Sequence, residues 1–385
     1  MLENNNRKTI VTFVMPSNLK TGGGAEIAVM QYAYFSNKEK YSINILQTDH
    51  IDKERFSQDY VSKKIEGTNL YTISDIDWRF SFLKKNKIFN YVYYIIFRPI
   101  FILTLGFTKD RKTLNKLKNS DIIYLFQNEM QSYFLGFKGK VIGHNGLWVI
   151  KPKSLIFKLV SVGIMWHRIE GFRLFPFNRQ YSKALNRPFN FILTNGIDTS
   201  TFFPASRKEG IVKFLFVGRT DREKGIDILL DALNLIPENY NFELHIAGIG
   251  DMVKDLINSK NKSLIYHGML KEDSLFRLYR ECDVFLFPTK WEPFGLVILE
   301  ALASGLHVIV SDVMKGAFDD FEKLGVLDYI INNPESYARS MISVIENINK
   351  IRKMGFEAHR LVKNEYDIKI VTDALFEFFS SILKN

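Results

Sequence analysis

IVKFLFVGRTDREKGIDILLDALNLI, residues 211–236, is the stretch that decides the fold class. It opens on a short β-branched and aromatic run, the pattern of a buried strand. Gly218 to Gly225 then carries five charged residues between two glycines, and from Ile226 onward apolar residues fall at helical spacing. Strand, charged loop and amphipathic helix in that order form one unit of a parallel sheet covered by helices. The alternation continues downstream. NFELHIAGIGD, SLIYHGM, DVFLFPT and HVIVSD read as strands; MVKDLINSK, KEDSLFRLYREC and FGLVILEALASG read as the helices between them, and from ESYARSMISVIENI the chain is helical to its end.

Upstream, KTIVTFVMP, YSINILQTD, DIIYLFQN, GKVIGHN and FNFILTNGID read as strands of a second such series, with IAVMQYAYFS a helix after the first. A turn-rich polar stretch near Asp198–Arg207 separates the two series. The expected architecture is α/β, with two Rossmann-like doubly wound domains facing across a cleft. Residues 1–199 form the first, 200–367 the second, and a final helix over about 368–385 packs back on the first. In open parallel sheets ligands bind at the carboxyl ends of strands. Four glycine- or charge-rich segments fall at such ends: GGGAE, GHNG, GRTDREKG and TKWEPFG.

Composition narrows the class. The 385 residues are 46% hydrophobic and 24% charged, as in folded globular chains. The single cysteine, Cys282, excludes an internal disulfide and a cysteine zinc cluster, and suits a reducing compartment. The N-terminal stretch reads as a polar leader and a first strand rather than as a signal peptide. The formal charge of +10 is uneven: residues 1–200 hold 29 Lys and Arg against 15 Asp and Glu, and the rest 23 against 27. A basic first half points to an anionic partner. Residues 77–118 interleave bulky apolar side chains with lysines and arginines, and Arg98-Pro99 interrupts the apolar run Tyr91–Phe107. That pattern fits a helix pair lying at an anionic membrane surface better than a transmembrane span, although the same aromatics could pack the first domain. No nucleic-acid motif accompanies the basic stretches, so nucleic acid is not an expected partner.

Gly22-Gly23-Gly24 lies between a strand and a helix, where glycine lets a phosphate approach the free amides of the helix start; a tight turn would use the same residues. Neither this segment nor Gly248-Ile249-Gly250 completes G-x-G-x-x-G, which disfavours a nicotinamide cofactor. Arg219 could hold phosphate oxygens through two parallel hydrogen bonds and Lys224 could add a point charge, as a site for a departing pyrophosphate requires; alone, the loop reads better as solvated charge. Glu292 stands before a helix and Glu300 two turns into it. Between them Phe294, Gly295, Leu296 and Val297 should form the helix start, with open amides for phosphate. A glutamate ahead of the helix can accept from sugar hydroxyls, and one further in from a ribose diol. His144, at a strand end, reads by itself as a core histidine.

EPFGLVILEALASG resembles the E-x7-E signature of glycosyltransferase family 4, retaining enzymes of the GT-B fold. GGGAE, TNGIDTSTFFP, FVGRTDREKGIDILLDAL and HGMLKEDSLFRLYRECDVFLFPTKWEPFG resemble other segments of that family, in its order and spacing. The resemblance implies a donor site of Gly23, Gly24, Arg219, Lys224, Glu292, Phe294, Gly295, Leu296, Val297 and Glu300. In it, Arg219 and Lys224 would hold the diphosphate, Glu292 the transferred sugar and Glu300 the ribose, with His144 near the reacting centre. It also implies a nucleotide-sugar donor, UDP-linked ahead of GDP-linked, and a glycan acceptor. With the basic first half, the expected acceptor is lipid-linked and the expected place the cytoplasmic face of the cell membrane, in surface-polysaccharide synthesis. No cofactor or metal is expected, since no acidic cluster suited to Mg²⁺ stands out. After Asp312, VMKGAFDDFEKLGVLDYI departs from the family pattern, and residues 50–120 and 147–190 match none of its segments. The alternative is a non-catalytic GT-B scaffold or binding protein.

Overall fold

A computed structural model of the chain describes residues 7–22, 24–51, 54, 56–74, 109–126, 195–205, 210–292 and 294–384, and the backbone of 140–145 and 173–176. Gly23, the proposed membrane segment up to residue 108 and most of the FNFILTNGID strand lie outside the described residues.

Two compact units divide the chain. One comprises Met1–Phe177, Tyr181–Leu193 and Thr372–Asn385, the other Asn178–Gln180 and Thr194–Val371. The first contains β1 (Thr9–Val14), α1 (Gly24–Phe35), β2 (Tyr41–Thr48), α2 (Gln58–Lys64), β3 (Asn69–Ile73), α3 (Lys109–Leu117), β4 (Ile122–Leu125), β5 (Lys140–Asn145) and β6 (Arg173–Pro176). Its sheet is parallel, in the order β3-β2-β1-β4-β5-β6. The chain winds outward from β1 in both directions, so the order reverses between β1 and β4. Covered on both faces, β4 is buried at every residue.

The second unit contains β7 (Val212–Val217), α4 (Ile226–Leu235), β8 (Phe242–Ala247), α5 (Val253–Asn258), β9 (Leu264–Gly268), α6 (Glu272–Glu281), β10 (Val284–Phe287), α7 (Leu296–Ala303), β11 (His307–Ser311), α8 (Asp319–Lys323), β12 (Leu327–Ile330) and α9 (Pro334–Glu365). Its sheet, also parallel, runs β12-β11-β10-β7-β8-β9. Here the reversal falls between β7 and β10, the position at which open sheets of this kind bind ligands. α4 buries Ile226, Leu229, Ala232 and Leu233, one helical stripe, and α9 packs against α4, α7 and β11. Arg352 on α9 grips the buried Asp283 at the entrance to β10, with Nε–Oδ1 of 2.8 Å and a second contact of 3.1 Å.

A last helix, α10 (Ile368–Lys384), starts in the second unit and continues into the first. There the Tyr41 hydroxyl lies 2.7 Å from Ser380 Oγ and 3.2 Å from the Phe376 carbonyl, and Phe379 packs edge-on against Tyr124. Of the FNFILTNGID segment, the described residues 195–198 form one isolated parallel bridge, Ile197 with Asp367.

Candidate functional site

The loops after β7 and β10 lie side by side, and their backbones interlock. Lys290 N donates to the Glu223 carbonyl at 2.8 Å. A Cβ at Gly225 would stand 2.0 Å from the Pro288 carbonyl oxygen, and this glycine is at φ +77, so residue 225 lets the loops meet. Asn332, just past β12, donates to the carbonyls of Pro288 and Thr289 at 3.1 Å each, which fixes the β10 loop from its other side. Behind the β7 loop, the β8 loop comes close enough that a Cβ at Gly250 would lie 2.6 Å from the Thr220 carbonyl oxygen.

This framework brings Lys224 and Glu292 together. Lys224 Nζ donates to Glu292 Oε2 at 3.0 Å and to the Trp291 carbonyl at 2.9 Å, with the Trp291 ring 6.0 Å away. Lys224 is mostly buried, its side chain 11% exposed against 16% for Glu292. The other carboxylate oxygen of Glu292 accepts from the amides of Phe294 and Gly295, at 3.3 and 3.1 Å. The expected open helix start is corrected here. α7 begins at Leu296 with Gly295 as its N-cap, and two of the four expected amides are turned onto Glu292 itself. Glu292 sits two and three residues ahead of those amides, within easy reach of both, and a carboxylate at a helix start is favoured by the positive dipole end. Val297 occupies the first turn of α7.

Arg219 is also engaged. Its guanidinium pairs with Asp221 Oδ2 at 2.9 Å and Glu223 Oε1 at 2.6 Å, and its side chain is 61% exposed. Asp221 uses its second oxygen to accept from Lys224 N at 2.9 Å. It therefore shapes the turn that presents both cations. Exposed pairs of this kind contribute about 0–1 kcal/mol, so a diphosphate, with more charge and more acceptor oxygens, can take the guanidinium from its carboxylates. Sequence reasoning missed Asp221 and Glu223, although both lie within GRTDREKG and an i,i+4 Arg–Glu pair is a readable signal.

Glu300, in the second turn of α7, is buried, and its Oε2 accepts from the Tyr279 hydroxyl at 2.7 Å. Tyr279 lies on α6 and was not anticipated. In the first unit the glycine segment follows β1, beside the sheet's own reversal point. Gly24 is the first residue of α1 and is exposed, and buried Glu26 in the same turn bonds Ser17. His144 is the penultimate residue of β5, paired with Phe175 in register; its side chain is outside what is described. Among the described residues no group of three or more His, Cys, Asp and Glu side chains is placed to hold a metal ion, and no helix is long and apolar enough to cross a membrane.

Residues 198–360, within the second unit, match the family Glycosyl transferases group 1. An uncharacterized glycosyltransferase of Methanocaldococcus jannaschii, MJ1607, is 43% identical over 105 residues, 26% of this chain and 27% of that protein. Matches to the first few curated relatives span 27% to 53% of those proteins' lengths. Solved structures extend the likeness in fold across the chain. A glycosyltransferase from Rickettsia africae superposes with a TM-score of 0.73 at 17% identity, covering 98% of this chain and 100% of the other. Anabaena Alr3699/HepE in complex with UDP and glucose superposes at 0.69 and 16%, covering 97% and 100%. The fold is thus that of the GT-B glycosyltransferases, α/β with two parallel-sheet domains.

Proposed function

We propose that the protein is a retaining glycosyltransferase of family 4 that moves a sugar from a nucleotide-sugar donor to a glycan acceptor without a metal ion. The observation that carries this reading is the Lys224 ammonium held 3.0 Å from the Glu292 carboxylate, at the point where the sheet order reverses. In this reading the donor diphosphate enters beside Lys224 and Arg219. Both cations neutralise the charge that grows on the leaving nucleotide, the work a divalent ion does elsewhere. Glu292, already fixed by two amides and Lys224, accepts from hydroxyls of the transferred sugar and orients it. Glu300 accepts from the ribose. The family resemblance also assigns Gly23, Gly24 and His144 to the reaction. The departing phosphate receives the acceptor's proton on the face at which the acceptor attacks, so the anomeric configuration is kept.

UDP is the favoured nucleotide, because UDP donors are common in this family and a structural neighbour is a UDP complex. The acceptor is lipid-linked and the product a surface polysaccharide, made at the cytoplasmic membrane face. Support for the membrane comes from the basic, aromatic segment 77–118 and the charge surplus of the first half.

Hydrolysis of a panel of UDP- and GDP-sugars, without acceptor and with chelator present, tests the chemistry, with the released anomer followed by NMR. One preferred donor releasing its own anomer is expected. Strict dependence on added divalent metal, or release of the opposite anomer, contradicts the metal-free retaining reading. No turnover or binding with any donor favours a non-catalytic scaffold.

A further inference from the structure

Tyr279 and Glu300 form a buried pair across two helices. The phenol is fully buried and Glu300 is 7% exposed, and the hydroxyl donates to Oε2 over 2.7 Å, within the short range of a charge-assisted bond. The ring is fixed as firmly as the hydroxyl. Phe202 packs edge-on against it with centroids 5.5 Å apart, and Phe285 lies stacked at 6.2 Å. Phenylalanine at 279 would fill this aromatic cluster equally well. What the hydroxyl adds to the ring is its hold on the carboxylate. Burying a carboxylate costs several kcal/mol unless hydrogen bonds replace its water. A carboxylate offers about four acceptor positions. One taken by a rigid phenol fixes the plane of the group and the direction of the rest.

We propose that Tyr279 is a positioning residue that orients the Glu300 carboxylate toward the ribose hydroxyls, and so sets the preference of the site for ribonucleotides over 2′-deoxyribonucleotides. The inference rests on the ribose reading of Glu300. A diol recognised by a carboxylate needs that carboxylate in one orientation; a carboxylate able to rotate accepts from one hydroxyl as well as from two. Removing the phenol leaves Glu300 in place and loosens its aim.

Calorimetric titration of UDP, 2′-deoxy-UDP, GDP and 2′-deoxy-GDP into the full chain tests it. The variants are Tyr279→Phe, Glu300→Gln and Phe202→Leu, each with its thermal unfolding measured. The wild type should bind the preferred ribonucleotide about tenfold or more tightly than its 2′-deoxy form, the worth of one hydrogen bond to a charged group. In Tyr279→Phe that ratio should fall to about threefold or less, as it should in Glu300→Gln. Phe202→Leu disturbs the ring packing and keeps the phenol, so it should unfold at lower temperature with the ratio unchanged. A ratio preserved in Tyr279→Phe but lost in Glu300→Gln overturns the role of Tyr279 and leaves the ribose reading standing. A ratio lost equally in Phe202→Leu reduces the pair to packing and overturns the inference. A wild type that does not discriminate, or a Glu300→Gln that still does, overturns both.

Discussion

Glu292 makes three hydrogen bonds with its two oxygens, and each fixes it in a different way. The two amides set where the carboxylate stands, and Lys224 sets its charge partner. Glu292→Gln keeps the shape and removes the charge; transfer should fall by about a hundredfold, the scale of losing one electrostatic contact to a reacting group. The fold should stay intact, which circular dichroism checks. Glu223→Gln should act in the opposite direction. It frees one arm of the Arg219 guanidinium, and donor KM should drop by up to about fivefold, the worth of an exposed ion pair. At this scale residue type and spacing marked the cations and both glutamates as candidates, and only the family resemblance gave them roles. The sequence did not reveal that Arg219 is held by Asp221 and Glu223, because that pairing depends on how the loop turns.

The site depends on two loops, and Gly225 is where they touch. Gly225→Ala would place a methyl group 2.0 Å from a backbone oxygen, at a φ of +77. The conformational penalty alone is about 1–2 kcal/mol. The clash adds to it, so urea unfolding should show a lower midpoint and donor binding should weaken together. The central strands were legible in the sequence as short apolar runs, because a parallel strand covered on both faces has no polar side to show. β3 and β12 were not. Both are edge strands, β3 with only Ile73 fully buried and β12 with only Leu327, so neither presents such a run. β6, the edge at the other end of the first sheet, was missed as well. The start of α7 was legible to within two residues. Its amides turn onto Glu292, a detail set by three-dimensional geometry.

Across the whole molecule, acid should weaken the second unit through a histidine pair. His245 Nε2 lies 3.0 Å from Glu243, and its Nδ1 lies 2.9 Å from His267 Nε2. Glu243 faces Nε2 of His245 on one side and His267 faces its Nδ1 on the other. Burial, and then the charge of His245, lower the pKa of His267, against the pull of Glu281. Lys213 also faces the cluster, through Glu243. A histidine whose folded pKa is depressed contributes stability above its unfolded value of about 6.5 and loses it as pH falls through the folded one. The unfolding temperature should therefore decline below pH 6.5, and His267→Gln should flatten that decline; an unchanged slope removes this pair as its source. The basic first half makes a separate prediction. The chain should float with anionic liposomes at low salt, and Lys and Arg to Gln changes within 77–118 should abolish flotation. Fold class was legible at this scale because glycine- and charge-rich segments recur at strand ends; the acceptor was not, because the segments expected to meet it carry no shared motif. The most direct test of the donor site is titration of UDP and GDP into the wild type and into Lys224→Met, which keeps an unbranched side chain and removes its charge. The expected result is binding of one nucleotide by the wild type, weakened about tenfold or more in the variant. Equal affinity in the two proteins, or no binding of either nucleotide, would contradict the assignment of the Lys224–Glu292 pair to the donor.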